Sequence, residues 1–344
     1  MRILLIGNFA PPYEEESLHN LTLLAKFKQE GNSCRVINIS GNPSVEEDFI
    51  DVKNYLDFVI KLIRYSFRSN VIHFSTKGYT RPGLMKLMTT VVFCKMMFKK
   101  TVITMHSELF SIFGQLRSKM GGQQLLNLSF SKADKVLCGD KHTYGVAALH
   151  YKVKDKFEII PSFIHVPEDL KENELLILKK LQNMKKVVFF NNVRYPSLLF
   201  DVLNVLLSGY FSQDVGIIIS FSEKFSTKLQ HAIAEAEKRL SGNLIFIDPT
   251  NIRLLSTAYA KADLILRNLS CDGKPLFDDI ALCVRRPARA GNYAYFPLSL
   301  TLVKEGDVLE LCAHIFNNVL MERTEALPPS GEDFYARIKE LYSK

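Results

Sequence analysis

The stretch Arg2-Ile-Leu-Leu-Ile6, which ends on Gly7, has the pattern of a strand that is buried on both faces. A second stretch, Val187-Val-Phe-Phe190, ends on Asn191-Asn192 and restarts this pattern in the second half of the chain. Each is followed by a helical pattern, and short apolar runs that stop at small or polar residues are typical of parallel strands. The sequence therefore predicts two nucleotide-binding-type α/β halves that face a central cleft. Ligands of such sheets bind at the carboxyl ends of the strands.

Strand and helix patterns alternate along the 344 residues, a length that fits two domains better than one core. We expect a Rossmann-like N-terminal domain at 1–165 and a second Rossmann-like domain at 166–327, separated by a proline-punctuated stretch. Pro328-Pro329 sets off a last helix, within 328–344, that could cross back and pack toward the N-terminal domain.

The composition is that of a globular protein, with 47% hydrophobic and 23% charged residues. The chain enters a strand at once, so the sequence predicts no secretion signal and a cytoplasmic protein. No apolar stretch is long enough to cross a bilayer. Six cysteines lack the spacing of zinc ligands or of a disulfide framework, and we expect free thiols and no metal or other cofactor. These cysteines are Cys34, Cys94, Cys138, Cys271, Cys283 and Cys312.

The net charge of +8 is confined to one half of the chain, because residues 1–165 contain 22 Lys and Arg against 14 Asp and Glu. The basic, amphipathic stretch 81–100 has two interpretations. It could lie on an anionic membrane, which would make the protein peripheral at the inner face of the cytoplasmic membrane. It could instead be a core-packed helix with a solvated lysine edge. Nucleic acid is not an expected partner, since no aromatic and basic platform is present.

The turn after the first strand begins with Gly7 and continues through Tyr13 and three glutamates to Ser17. A glycine between a strand and a helix often lets the backbone approach a phosphate. This loop has no further glycine, and glutamates at a helix start would repel an anion while compensating the helix dipole. Two interpretations therefore stay open: acidic capping of the helix, and a loop that contacts a hydroxyl-rich substrate.

His106 follows the predicted strand at 101–105 and precedes Ser107. A histidine at the carboxyl end of a parallel strand lies where ligands bind, and its imidazole can hydrogen-bond a sugar hydroxyl or position a reacting centre. The alternative is a buried structural histidine. We favour a functional role for His106 over one for any other histidine of the chain.

A polar loop follows the predicted strand at 263–267 and leads into a predicted helix at 275–283. It contains Asp272, with Arg267 and Lys274 in or beside it. Basic side chains can hold a diphosphate, and a carboxylate can accept hydrogen bonds from sugar hydroxyls. Surface ion pairing would explain the same residues equally well.

With these features assembled, the chain resembles the GT-B glycosyltransferases, specifically the retaining family 4 group of bacterial polysaccharide type, over essentially its full length. The opening strand with Pro11-Pro12-Tyr13 and Ser17 resembles the acceptor-side loop of that family. Thr104-Met-His106-Ser107 resembles its strand-end histidine element.

In the second domain, Arg267, Asp272-Gly273 and Ala281-Leu282 match the paired-acid motif of one subgroup of that family. The second carboxylate of the motif falls on Ile280, which cannot bind a ribose. Arg194 stands where the family has an arginine that clamps the diphosphate, and the lysine that accompanies it there is missing.

The resemblance implies a role for each matched residue. The implied catalytic residues are His106 and Asp272; the donor-binding residues are Arg194, Arg267, Gly273, Lys274 and Asp279; and the acceptor-side loop comprises Gly7, Tyr13, Glu16 and Ser17.

The resemblance implies a retaining glycosyltransferase that moves a sugar from a nucleotide-sugar donor to a surface-polysaccharide or lipid-linked saccharide acceptor, without a metal. An alternative is a glycosyltransferase-like partner or scaffold in a polysaccharide assembly complex that has lost catalysis, which Ile280 favours. A third hypothesis is an epimerase of the GT-B fold that acts on the nucleotide sugar alone.

Overall fold

The protein is described from a computed structural model. The structure describes residues 1–11, 13–78, 80–106, 121–139, 141–150, 154–167, 171–179, 184–191, 202, 215–220, 231, 234, 238, 243–268, 270–271, 274–275, 280–285, 289–290, 293–295, 300–304, 308–320 and 331–343. These residues divide into two compact units. The first comprises Met1–Ile164 and the C-terminal helix, and the second comprises most of the chain between His165 and Pro328.

The first unit is built on a seven-stranded sheet with the strand order β3-β2-β1-β4-β5-β6-β7. The strands are β1 (Arg2–Gly7), β2 (Ser33–Asn38), β3 (Ile50–Asp51), β4 (Val71–Thr76), β5 (Lys100–Met105), β6 (Lys135–Cys138) and β7 (Phe157–Ile159), followed by the short β8 (Phe163–His165). All neighbouring strands of the sheet are parallel. The order reverses between β1 and β4, which creates the crevice where ligands of doubly wound sheets bind.

Helices connect these strands. They are α1 (Glu15–Gln29), α2 (Tyr55–Ser66), α3 (Arg81–Met96), α4 (Gly122–Lys132) and α5 (Lys141–His150). The side chains of Asn54 and Thr80 cap the starts of α2 and α3 by accepting hydrogen bonds from the backbone N–H groups of Asp57 and Gly83. The first unit thus has the predicted Rossmann-like alternation of strand and helix.

The basic stretch 81–100 forms α3 and the turn after it. Its apolar residues Leu84, Leu87, Val91 and Cys94 are fully buried in the core of the first unit. Along this face the stretch is the core-packed helix of the second interpretation, whereas Met96 and Phe98 at its end are 72% and 96% exposed. Within the described ranges, no helix combines the length and the apolar character that crossing a membrane requires.

The C-terminal helix α9 (Gly331–Ser343) packs on the first unit, as predicted. The rings of its Tyr335 and Tyr342 lie 5.2 and 5.0 Å from the ring of Phe27 in α1. Its Arg337 binds both carboxylate oxygens of Glu158 in β7, at 2.5 and 3.1 Å. This return of the chain end explains why the helix belongs to the first unit although the second unit precedes it in sequence.

The second unit has a six-stranded sheet with the strand order β11-β10-β9-β12-β15-β18. Its strands, with the short ones beside it, are β9 (Lys186–Asn191), β10 (Val215–Ser220), β11 (Leu244–Ile247), β12 (Leu264–Asn268), β13 (Ser270–Cys271), β14 (Lys274–Pro275), β15 (Ile280–Arg285), β16 (Arg289–Ala290), β17 (Tyr293–Tyr295) and β18 (Leu300–Lys304). The described helices of the second half are α6 (Glu172–Lys179), α7 (Ile252–Lys261) and α8 (Val308–Leu320), followed by α9 (Gly331–Ser343) of the first unit. The two Rossmann-like domains predicted from the sequence are confirmed.

The predicted helix at 275–283 is wrong. Residues Ile280–Arg285 instead form β15, which pairs antiparallel with β12 and with β18. The run Ile-Ala-Leu-Cys-Val is a short apolar segment that serves equally well as a buried strand, and its position between two strands decides the outcome. The paired-acid motif requires a helix start at this place, so its match to Ile280 and its neighbours fails structurally.

Candidate functional site

The turn after β1 is closely packed around Gly7. A Cβ atom on Gly7 would lie 2.8 Å from Nδ2 of Asn20 and 3.0 Å from Cβ of Ser75. Nδ2 of Asn20 also donates a hydrogen bond of 3.1 Å to the carbonyl oxygen of Asn8. Gly7 thus allows α1 and β4 to approach β1 at the carboxyl edge of the sheet, which is the edge where ligands bind.

The start of α1 shows the capping arrangement. Glu14 is the N-cap residue, and its backbone N–H donates a 2.7 Å hydrogen bond to the hydroxyl of Ser17. The carboxylate of Glu14 forms an ion pair with Lys77, which follows β4. Glu16 is buried, and burial raises the pKa of the buried Tyr13. The acceptor-loop candidates therefore lie together at the sheet edge. Gly7 and Ser17 make close contacts within the turn, and Tyr13 and Glu16 are buried in it.

His106 lies at the carboxyl end of β5 and is 1% exposed. Its Nε2 is 2.7 Å from the hydroxyl of Ser75, and its Nδ1 is 2.9 Å from the hydroxyl of Ser162. Its ring contacts the ring of His19 edge-on, with the ring centres 5.0 Å apart. Because both ring nitrogens are engaged by hydroxyls, His106 and the two serines hold one another in place.

Two further histidines are buried beside this edge. Nδ1 of His19 accepts a 3.2 Å hydrogen bond from the backbone N–H of Phe163, and Nε2 of His73 is 2.6 Å from the hydroxyl of Thr104. Nδ1 of His73 bonds the hydroxyl of Tyr342 in α9. Burial lowers the pKa of His19 to about 4 and that of His73 to about 3, so both are neutral at pH 7. We call His19, His73 and His106 the histidine cluster.

In the second unit, Asn191 and Ser220 end the neighbouring parallel strands β9 and β10 and are paired in register. Both residues are buried, and among the residues that the structure describes neither Oδ1 of Asn191 nor Oγ of Ser220 has a hydrogen-bond partner. Nδ2 of Asn191 donates to the hydroxyl of Tyr259. If the amide were turned round, its nitrogen would be the unpartnered atom instead, so one polar atom of Asn191 is left over in either orientation.

Tyr259 holds Asn191 in place. It is 1% exposed, and its ring packs edge-on against Phe189 with the ring centres 5.2 Å apart. A buried hydroxyl or amide oxygen without a partner costs about 1–3 kcal/mol. Such a cost at the carboxyl ends of two adjacent strands is expected where a ligand supplies the missing partners.

Two of the predicted donor-site residues lie in described strands of the second half. Arg267 lies in β12 in register with Asn191, whereas Lys274 lies in the short β14, which forms a separate two-stranded sheet with β13. Arg194, Asp272, Gly273 and Asp279 lie outside the residues that the structure describes. Among the described residues, no three His, Cys, Asp or Glu side chains come together as metal ligands.

The sequence analysis did not select Asn191, Ser220, Ser75 or Ser162. A signal for the first two was present, since each is the polar residue at the end of an apolar strand. The two serines that bind His106 are 31 and 56 residues away from it along the chain. No local pattern connects residues so far apart.

No protein-family model matches the sequence, and a search of curated proteins finds no relative. Solved structures are similar in fold. UDP-GlcNAc 2-epimerase from Methanocaldococcus jannaschii, in complex with UDP-GlcNAc and UDP, aligns with a TM-score of 0.58 at 10% identity and covers 100% of this chain and 99% of that chain. A putative UDP-N-acetylglucosamine 2-epimerase from Listeria monocytogenes aligns with a TM-score of 0.50 at 12% identity, over 78% of this chain and 74% of that chain.

These findings correct the functional expectation. The prediction of a glycosyltransferase, whether active or reduced to a scaffold, is contradicted, since the similar structures are UDP-GlcNAc 2-epimerases that share the GT-B fold. The resemblance to the family 4 group is not supported either, because its paired-acid helix is replaced by β15. The GT-B fold itself is confirmed.

Proposed function

We propose that this protein binds a UDP-linked amino sugar and epimerises it, as an enzyme of the nucleotide-sugar 2-epimerase type. The observation that carries the proposal is the pair of unpartnered polar atoms on Asn191 and Ser220, at the carboxyl edge of a Rossmann-like sheet. The full-length similarity in fold to a UDP-GlcNAc 2-epimerase supports it.

The chemistry of these two atoms fits a nucleotide sugar. The Ser220 hydroxyl can donate to a phosphate oxygen, and Oδ1 of Asn191 can accept from a ribose hydroxyl or a ring N–H. Arg267, in register with Asn191 on the strand beside it, belongs to the residue type that binds a diphosphate through paired hydrogen bonds. We retain Arg194, Gly273, Lys274, Asp272 and Asp279 as proposed contacts of the same ligand.

The first test is calorimetric titration with UDP and UDP-GlcNAc of the wild-type protein and Ser220→Ala. We expect binding by the wild type and at least tenfold weaker binding by Ser220→Ala, because a hydrogen bond to a charged phosphate is lost. The free variant should be as stable as the wild type or more stable, since it no longer buries an unpartnered hydroxyl. If Ser220 had only a structural role, its substitution would not weaken ligand binding while leaving the free protein as stable as before.

Ser66→Ala is the matched control. Its hydroxyl is also buried without a partner in the described part of the chain, but it lies in α2 of the first unit. Its removal should leave the affinity for UDP-GlcNAc unchanged. If the folded wild type binds neither UDP nor UDP-GlcNAc, the proposal is wrong.

Epimerisation at C2 of the sugar also requires that the proton on this carbon be removed from one face and that a proton be returned to the other face. We propose His106 as a positioning residue for this step, acting through Ser75 and Ser162. His106→Gln should lower kcat for conversion of UDP-GlcNAc to its 2-epimer at least tenfold, followed by NMR, while the affinity for UDP stays unchanged. His231→Gln, which replaces an exposed histidine, serves as the control. Equal kcat values for the two variants would remove His106 from the mechanism.

A further inference from the structure

The first unit contains a cavity of about 520 Å³ that is rich in cations. Its charged lining consists of Lys28, Arg35, Arg64, Arg68 and a single carboxylate, Asp48. A volume of this size is in the range of pockets that hold small molecules. The cavity therefore offers a net positive charge in a space that a phosphorylated compound could fill.

None of these four cations lies within 4 Å of a carboxylate in the part of the chain that the structure describes, Asp48 included. By contrast, other cations of the same unit are paired, as Lys61 is with Asp57 and Lys339 with Glu30. Four cations that share a single carboxylate repel one another, and an anion in the cavity would reduce that cost.

Tyr65 brings two of the arginines together. The guanidinium carbon of Arg35 lies 5.3 Å from the centre of the Tyr65 ring, and that of Arg64 lies 5.7 Å from it. The ring face attracts both cations but does not neutralise them. Arg68 follows Arg64 by four positions, close to the end of α2. Guanidinium groups held in this way can bind phosphate oxygens in pairs.

The sheet edge forms one wall of the cavity. The strand β3 pairs with β2 only at Ile37 and Asn38, and Cys34 and Val36, on the part of β2 that β3 leaves uncovered, line the cavity. Cys34 is paired with Ile3 near the amino end of β1. The cavity thus lies away from the carboxyl edge that carries Gly7 and the histidine cluster.

Favourable interaction with helix dipoles explains the positions of only two of the four cations. Lys28 and Arg64 lie in the last turns of α1 and α2, where the helix dipole favours cations. Arg35 lies in a strand, however, and Arg68 lies beyond the end of its helix. Helix dipoles do not explain why all four side chains line one cavity.

We propose that this cavity is a binding site for a phosphate-bearing anion, separate from the nucleotide-sugar site. The phosphate can come from a soluble compound or from a phospholipid headgroup. The second source has support nearby, because Ile60, Ile63 and Phe67 on the same helix and its end are 57%, 39% and 54% exposed. Exposed apolar side chains beside cations are typical of segments that lie on anionic membranes.

The test measures binding of sodium pyrophosphate by calorimetry and binding of phosphatidylcholine vesicles, with and without phosphatidic acid, by co-sedimentation. The full-length wild-type protein is compared with Arg64→Gln and with the double variant Arg35→Gln/Arg64→Gln. We expect the double variant to lose at least tenfold in affinity and the single variant, which changes only an exposed side chain, to lose part of it. Arg81→Gln, an exposed cation of the same unit outside the cavity, should change the affinity less than twofold.

The two sources give different results. A soluble source predicts pyrophosphate binding that Ile60→Ser/Phe67→Ser leaves intact. A lipid source predicts binding to the phosphatidic acid vesicles alone, weakened both by the arginine variants and by Ile60→Ser/Phe67→Ser. The proposal is overturned if the wild type binds neither probe, or if binding is the same in the double variant, since the anion would then lie elsewhere.

Discussion

Lowering the pH from 7 to 4.5 is expected to reduce the free energy of unfolding of the first unit by several kcal/mol. The cause is the burial of neutral His19 and His73, whose pKa values are about 4 and about 3 in the folded protein. The ordinary value of about 6.5 applies to the unfolded chain. Each unit of difference in pKa contributes about 1.4 kcal/mol per histidine.

The sign follows from proton uptake. Above pH 6.5 the histidines are neutral in both states and their contribution does not change. As the pH falls below 6.5, the unfolded chain binds protons that the folded protein does not accept until about pH 4 at His19 and about pH 3 at His73. Stability is therefore lost with falling pH across this window, mostly above the range in which carboxylates titrate.

Urea unfolding followed by circular dichroism at several pH values between 7 and 4.5 measures this slope. His19→Asn keeps an acceptor for the Phe163 amide and removes one titrating group, so its slope should be shallower than that of the wild type. His231→Gln removes an exposed histidine and should leave the slope unchanged. Identical slopes in all three proteins would show that the buried imidazoles do not control the acid sensitivity.

Phe27→Ala is expected to destabilise the first unit by about 3–5 kcal/mol, the usual cost of truncating a fully buried phenylalanine. Phe27 is 0% exposed, and its ring contacts the rings of both Tyr335 and Tyr342 of α9. Truncation of Phe27 leaves a cavity between α1 and α9. Tyr342 then loses the ring on which it stacks, and its hydrogen bond to His73 should weaken. Urea denaturation gives the loss, and faster tryptic cleavage at Arg337 and Lys339 should report the release of α9.

Phe98→Ala is the control of equal size. The Phe98 side chain is 96% exposed, so its truncation should change the free energy of unfolding by no more than about 0.5 kcal/mol. If Phe27→Ala were as stable as Phe98→Ala, the packing of α9 on α1 would not hold the chain end in place.

The sequence predicted the sheet of the first unit well, since each long parallel strand is a local apolar run that ends at a polar or small residue. The last helix was also predictable, because Pro328-Pro329 precedes a clear helical pattern. The prediction of a helix at 275–283 was wrong because the local pattern there does not identify a strand. An apolar segment of five residues, Ile280 to Val284, does not choose between helix and strand by itself, and only its pairing with β12 and β18 settles the choice.

The residues of the candidate site were likewise predictable from the sequence only in part. His106 at a strand end, Gly7 in the first turn and Arg267 in a strand are visible as single residues in the sequence. Their partners are not: Ser75 and Ser162 reach His106 from distant parts of the chain.

The sequence by itself determined two Rossmann-like domains and the polar or small residues that end their strands, because a strand buried on both faces is a short apolar run that stops at such a residue. Only the tertiary structure decided that Asn191 and Ser220 lie side by side with unpartnered polar atoms, and that three arginines and a lysine line one cavity. Hydrogen bonding and charge act between atoms a few ångströms apart in space, and the register of the strands and the packing of the helices set those distances.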